Sequence, residues 1–295
     1  MSWARMGICG GILYAGCYVL CGCSGPSSPA DERLSVTVSI PPQRFFVQRI
    51  AGDRVRVSVM VGAGESPATY EPKPSQLRGL SESAVYVRIG VPFEDAWMAR
   101  LAPMMADGEI VHVADGQAML TISASHGDHH HEHGVDPHTW LSPRLAAEQA
   151  EVVCETLCRL DPAAAGAYRA TLAVLVGEIQ GLDEELAGRL SAVKGGRFLV
   201  FHPSWGYFAH EYGLEQVPIE VGGQEPSAQE LAALVRRAEE MDIRVVFVQP
   251  EFDTSKAETV AGALGGGIVR VSPLAEDWIE NLRGMGRSLE EVLRP

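Results

Sequence analysis

The sequence predicts an α/β protein of two lobes, each a mostly parallel sheet flanked by helices, the two joined by one long rigid helix. Three observations carry this. Strand-like and helix-like segments alternate through the first half of the 295 residues. The alternation restarts over 195–295, and strands alternating with helices build parallel sheets covered by those helices. Between the halves runs an uninterrupted helical stretch over 163–193, with Leu172, Leu175, Ile179, Leu182, Leu186 and Leu190 at helical spacing. Asp161-Pro162 precedes it and Gly195-Gly196 follows it, both of them helix-stopping pairs.

In chain order, residues 34–40 alternate apolar and polar as a half-buried strand does, and 54–61 repeats the pattern with Val55, Val57, Val59 and Val61. A short helix over 45–50 lies between them. The turn-rich segment 62–74 contains SPATYEPKPS. A helix starts near Ser75, a strand covers 84–89, a helix starts at Glu94, and a strand covers 109–113. Residues 115–137 read as a histidine-rich loop, and a helix over 142–160 closes the first lobe at 34–160. The linking helix takes 161–194. The second lobe has a strand at 197–201 running into His202, a helix at 204–212 and a strand at 217–220. Ser227-x-x-Glu230 has the form of a capping box and announces the next helix. A strand at 243–248, a helix from Thr254, a strand at 267–271 and a helix from Glu276 complete it.

The first 22 residues carry one charge, Arg5, and an apolar run over 6–20, the pattern of a secretory signal peptide that is too short to span a membrane comfortably. Leu20-Cys21-Gly22-Cys23 has the form of a bacterial lipobox and places lipidation at Cys23, followed by a tether over 23–33. The expected location is extracytoplasmic, periplasmic or on the cell surface, lipid-anchored to the membrane without spanning it. Of the six cysteines only Cys154 and Cys158 lie in the body, four apart on a helical stretch, where they read as small buried apolar residues. With no disulfide framework, stability rests on a core. The 38 acidic residues against 24 basic ones give a net charge of −14, which argues against nucleic acid as a partner and gives mild attraction for cations.

Six of the nine histidines fall at 126, 129, 130, 131, 133 and 138. Neutral imidazole is a ligand for zinc, copper, nickel and iron, so this clustering is a metal signal. His138 lies in DPHTWLSP; His202 follows the apolar run FLVF at the carboxyl end of a strand. Ligands of open α/β sheets bind at that edge, so one imidazole from each lobe converges on the cleft. Pro137 and Pro203 stiffen the chain beside them. No helix-borne His-Glu-x-x-His, Gly-x-Ser-x-Gly elbow or phosphate-cradling glycine loop occurs, which argues against an enzyme.

The strings SPATYEPKPSQL, DPHTWLSP, FHPSWGYFA, IEVGGQEPS and VSPLAEDW, in this order and spacing, resemble the metal-binding lipoproteins of zinc/manganese ABC importers across essentially the whole mature chain. The resemblance implies a monomeric solute-binding protein that holds a metal between its lobes and delivers it to a membrane permease. It also implies four ligands. His138 and His202 match two of them, whereas Ala68 and Ser272 stand where relatives place a histidine and an aspartate. Candidate replacements are His133 and His131 from the loop, then Glu71 and Glu251, with water in any remaining position. A shell dominated by imidazole points to zinc, with manganese or another divalent metal less suited. The alternative on the same scaffold is a metal-buffering or adhesin-like surface lipoprotein.

Overall fold

Four parallel strands, β1 (Leu34–Val38), β2 (Val55–Val59), β3 (Val85–Arg88) and β4 (Glu109–His112), form a first sheet in the order β2-β1-β3-β4. Its central strands carry valines and a tyrosine with almost no exposed surface (Val36, Val38, Val85, Tyr86, Val87), as expected where helices cover both faces of a parallel sheet. This computed structural model describes residues 33–105, 107–126, 129–220, 226–251 and 255–294, the side chains of 122–133 excepted. The signal segment and Cys23 therefore lie outside the described residues.

Helices α1 (Pro41–Ala51), α2 (Pro74–Ser81) and α3 (Pro92–Leu101) connect the strands. Each begins on proline, whose missing N–H costs nothing in a first turn. This is why α1 starts four residues before the hydrophobic periodicity becomes visible at 45.

The second sheet is built alike. Strands β7 (Arg197–Val200), β8 (Glu215–Pro218), β9 (Val245–Val248) and β10 (Gly267–Arg270) pair in parallel in the order β10-β9-β7-β8. Helices α6 (Gly206–Glu211), α7 (Ala228–Glu240) and α8 (Ser255–Ala263) connect them, and α9 (Trp278–Leu293) ends the described chain. The capping box forms as expected: Ser227 Oγ accepts from Glu230 N at 3.3 Å and Glu230 Oε2 accepts from Ser227 N at 2.7 Å. Strand β8 ends two residues before the predicted 220. The chain nevertheless stays beside β7, with Ile219 N donating to Val200 O (2.8 Å) and Glu220 N to Phe201 O (3.0 Å).

Helix α4 (Pro143–Leu160) leads into the 26-residue α5 (Ala165–Leu190), which is extended by a short 3-10 turn at each end. With the buried stripe Leu175, Ile179, Leu182, Leu186 and Leu190, α5 packs against α1, α4 and α9. One apolar cluster therefore runs without interruption from Val36 in the first sheet, through α5, to Phe247 and Leu289. A smaller cluster, around Leu199, Leu234, Val246 and Val260, lies under α7 and α8. Among the described residues no helix is long and apolar enough to cross a membrane.

The segment predicted as a loop over 115–137 is corrected by the structure. It holds an antiparallel hairpin of β5 (Thr121–His126) and β6 (His129–Val135), paired from Thr121↔Val135 to His126↔His129. Serine and histidine hide the period-two pattern because neither registers as apolar. The Gly127-Asp128 pair between the strands is the hairpin signal in the sequence.

Candidate metal centre

His138 reaches the cleft from the turn between the hairpin and α4, whose N-terminus is capped by Ser142 Oγ accepting from Leu145 N at 3.2 Å. Asp136 Oδ1 accepts twice from this residue, from the main-chain N–H at 2.9 Å and from ring Nδ1 at 2.7 Å. The carboxylate can sit there because residue 206 is glycine: a Cβ on Gly206 would lie 2.7 Å from Asp136 Oδ2. The neighbouring Tyr207 ties down the hairpin base, donating to Asp136 O at 2.9 Å and accepting from Leu120 N at 2.9 Å.

His202 extends from the carboxyl end of β7. Its main chain is held in both directions by Gln249, whose Oε1 accepts from His202 N (3.2 Å) and whose Nε2 donates to His202 O (2.7 Å). Ring Nδ1 donates to Glu220 Oε2 at 2.6 Å. The two imidazoles face each other edge-on, centroids 5.4 Å apart and planes at 68°. They line a cavity of about 560 Å³, together with Ala68, His112, Trp140 and Glu251.

This arrangement fixes the tautomers. A carboxylate only accepts, so Nδ1 of each ring carries the proton and Nε2 keeps its lone pair. Carboxylate-bound histidines of this kind are how proteins orient imidazole toward a metal. The side chains are only 11% and 19% exposed, which excludes most competing water.

The other expected ligands divide. Glu251 lies in the cavity; its Oε1 accepts from Ser272 Oγ at 2.5 Å and its Oε2 is buried without a partner. The carboxylate thus stands over Ser272, the position where the resemblance implies an aspartate. Burial holds its carboxyl above the usual carboxylate range, with the Ser272 hydrogen bond opposing. Glu71 is exposed and does not line the cavity, so the structure does not bring it to the site. His131 and His133 lie on β6, but their side chains fall outside the described ones. Asp136, Glu220, Gln249 and Tyr207 went unread in the sequence. Asp136 was legible as an acid two residues before the histidine in DPH; Glu220, eighteen residues from His202, was not.

Among the described residues, the one set of three ligand atoms mutually within 4.8 Å is Cys154, Glu155 and Cys158, not a set in the cleft. Those thiols belong to the α4–α5 packing as expected, 3.9 Å apart, and burial pushes Cys154 up to about 12. Glu155 is occupied by Arg169, at 3.1 and 2.9 Å. In the cleft, no three donors among the described residues lie that close together.

Comparison with known proteins gives the chain a family. The family described as ZnuA, zinc-uptake complex component A, periplasmic, matches residues 36–292. The chain is 30% identical to the high-affinity zinc uptake system protein ZnuA of Paracoccus denitrificans, covering 88% of this chain and 91% of that one. It is 28% identical to the ZnuA of Bacillus subtilis, over 86% and 84%. A crystal structure of ZnuA superposes with a TM-score of 0.83 at 41% identity, over 89% of this chain and all of the other. A zinc-bound ZnuA deletion mutant gives the same TM-score and identity, over 90% and 99%. The chain belongs to the ZnuA family of periplasmic zinc-uptake components.

Proposed function

We propose that this protein captures zinc in the cleft between its two sheets and delivers it to the permease of an ABC importer. Nε2 of His138 and Nε2 of His202 bind the ion, and Glu251 supplies the carboxylate that Ser272 cannot. Water, or a hairpin histidine such as His131 or His133, is available for an open position. The facing imidazole pair, each Nδ1 held by its own carboxylate, is the observation that carries this reading. The names of the relatives and the zinc-bound neighbour support it. Nitrogen donors favour zinc over manganese. The protein works as a monomer, as the family resemblance implies, and is anchored through a lipid on Cys23, on the strength of the Leu-Cys-Gly-Cys sequence.

Elemental analysis of tag-free protein, followed by zinc titration, tests the reading. One zinc per chain is expected. His138→Ala and His202→Ala each weaken binding at least tenfold, about 1.4 kcal/mol. Undiminished affinity in both variants would overturn it.

A further inference from the structure

We propose that His112 is the third imidazole ligand of the cleft, taking the coordinating role that Ala68 cannot fill. The proposal rests on the cleft reading above and names one more of its ligands. His112 is the last residue of β4, so it leaves the first sheet at the carboxyl edge, just as His202 leaves the second. It lines the same cavity as His138, His202 and Ala68.

Its surroundings differ from those of the other two histidines. Their Nδ1 atoms are tied to Asp136 and Glu220, whereas the His112 Nε2 is buried with no hydrogen-bond partner. A buried ring nitrogen left unsatisfied costs stability, and folded proteins seldom keep one without a use. The ring rests against Gly90, where an added Cβ would lie 3.2 Å from Nε2, in a backbone with φ +96°. A side chain at residue 90 would crowd this position of the ring.

The Ala68 loop leans on the same short segment. Phe93 N donates to Pro67 O at 3.2 Å, which brings the loop over the residues that follow Gly90. Ala68, Gly90 and His112 line the same cavity, so the ring at 112 faces the space that the small side chain at 68 leaves open. Arg88, the β3 partner of His112, does not oppose a cation there. Its charge is met by Glu94 at 3.0 Å and Asp95 at 3.0 Å.

Completing the site from the described donors requires motion, since no three of them in the cleft lie mutually within 4.8 Å. A turn of the His112 side chain off Gly90 breaks no hydrogen bond at Nε2 and frees that nitrogen to face the cavity it shares with the histidine pair. The product is a three-imidazole shell with a fourth position for Glu251 or water, an arrangement that suits zinc.

The test uses the mature protein without a tag, titrated with zinc alone, and compares the parent with His112→Ala, His112→Gln and, as a reference, His138→Ala. Both substitutions at 112 are expected to weaken zinc binding at least tenfold, and zinc-edge X-ray absorption should count three imidazoles in the parent and two in these variants. The glutamine variant keeps a polar side chain of similar reach, so a role limited to packing would leave it near the parent. Parent-like affinity with an unchanged imidazole count in the 112 variants, alongside weakened His138→Ala, would overturn this inference alone. Parent-like binding in His138→Ala as well would overturn the cleft reading itself.

Discussion

Trp278 donates its indole N–H to the main-chain carbonyl of Trp140 at 2.7 Å, and Trp140 donates its own to the carbonyl of Pro273, also at 2.7 Å. Trp140 lies two residues beyond His138, and Trp278 opens α9, so the histidine-bearing turn is bolted to the second half of the chain. The Trp278 ring also packs on Phe46 of α1, centroids 5.1 Å apart. With α5 and a continuous core behind it, this joint leaves little freedom for a hinge. Zinc loading should therefore leave the small-angle scattering curve unchanged within error; a clear contraction on binding would contradict the joint. Trp278→Phe leaves the Trp140 carbonyl buried without its donor and should cost about 1–3 kcal/mol in denaturant unfolding.

The carboxylates behind the two histidines should control affinity without touching the ion. Asp136→Asn and Glu220→Gln substitute an amide that can present N–H to Nδ1, which destroys the enforced tautomer. Each is expected to weaken zinc binding about 10–100-fold, measured by competition with a chromophoric chelator. Gly206→Ala should act in the same direction, because its Cβ would occupy space 2.7 Å from Asp136 Oδ2. Unchanged binding in all three variants would reduce Asp136 and Glu220 to structural residues.

The alternation of strands and helices was legible because hydrophobic periodicity is local, and so was the α5 stripe from Leu172 to Leu190. The converging pair His138 and His202 was legible because each lies next to a recognisable element boundary. What the sequence hid depends on tertiary contact. Glu220 meets His202 only after β7 and β8 pair, and the Glu251 carboxylate reaches Ser272 only across the β9–β10 edge. The hairpin at 121–135 was hidden for a different reason, since its strands are built from polar side chains that carry no burial signal.

Glu211 gives the interlobe junction a dependence on pH. Burial raises its carboxyl above the usual range, while the hydrogen bond to Ser142 at the start of α4 pulls the other way, as do Arg144 and His210; Asp183 adds to the rise. The folded protein then holds this proton at pH values where the unfolded chain has released it. The contribution to stability is complete below the unfolded carboxylate value near 4.5 and is lost as pH rises through the folded value. Glu211→Gln cannot ionise and escapes that loss. Its melting temperature should exceed the parent's at about pH 8, and the gap should close toward about pH 4. A gap that is the same at both ends would show that burial of the charge is not its source.

Glu94 is the buried anion that shapes the wall on which His112 rests. It has no exposed surface, and it accepts from Ser39 Oγ at 2.5 Å, Ile89 N at 2.9 Å, Gly90 N at 2.8 Å and Arg88 Nε at 3.0 Å. Its place in the first turn of α3 adds the favourable end of the helix dipole. All four partners are donors, so an amide in this position must turn an N–H against one of them. Glu94→Gln should therefore cost about 2–3 kcal/mol in urea unfolding of the metal-free protein, the scale of a charged hydrogen bond lost from the interior. Gly90 would lose its anchor at the same time, and zinc affinity should fall with it even though Glu94 never meets the ion. A variant that unfolds at the parent's midpoint would show that the four donors find other acceptors and that the loop is held by packing alone.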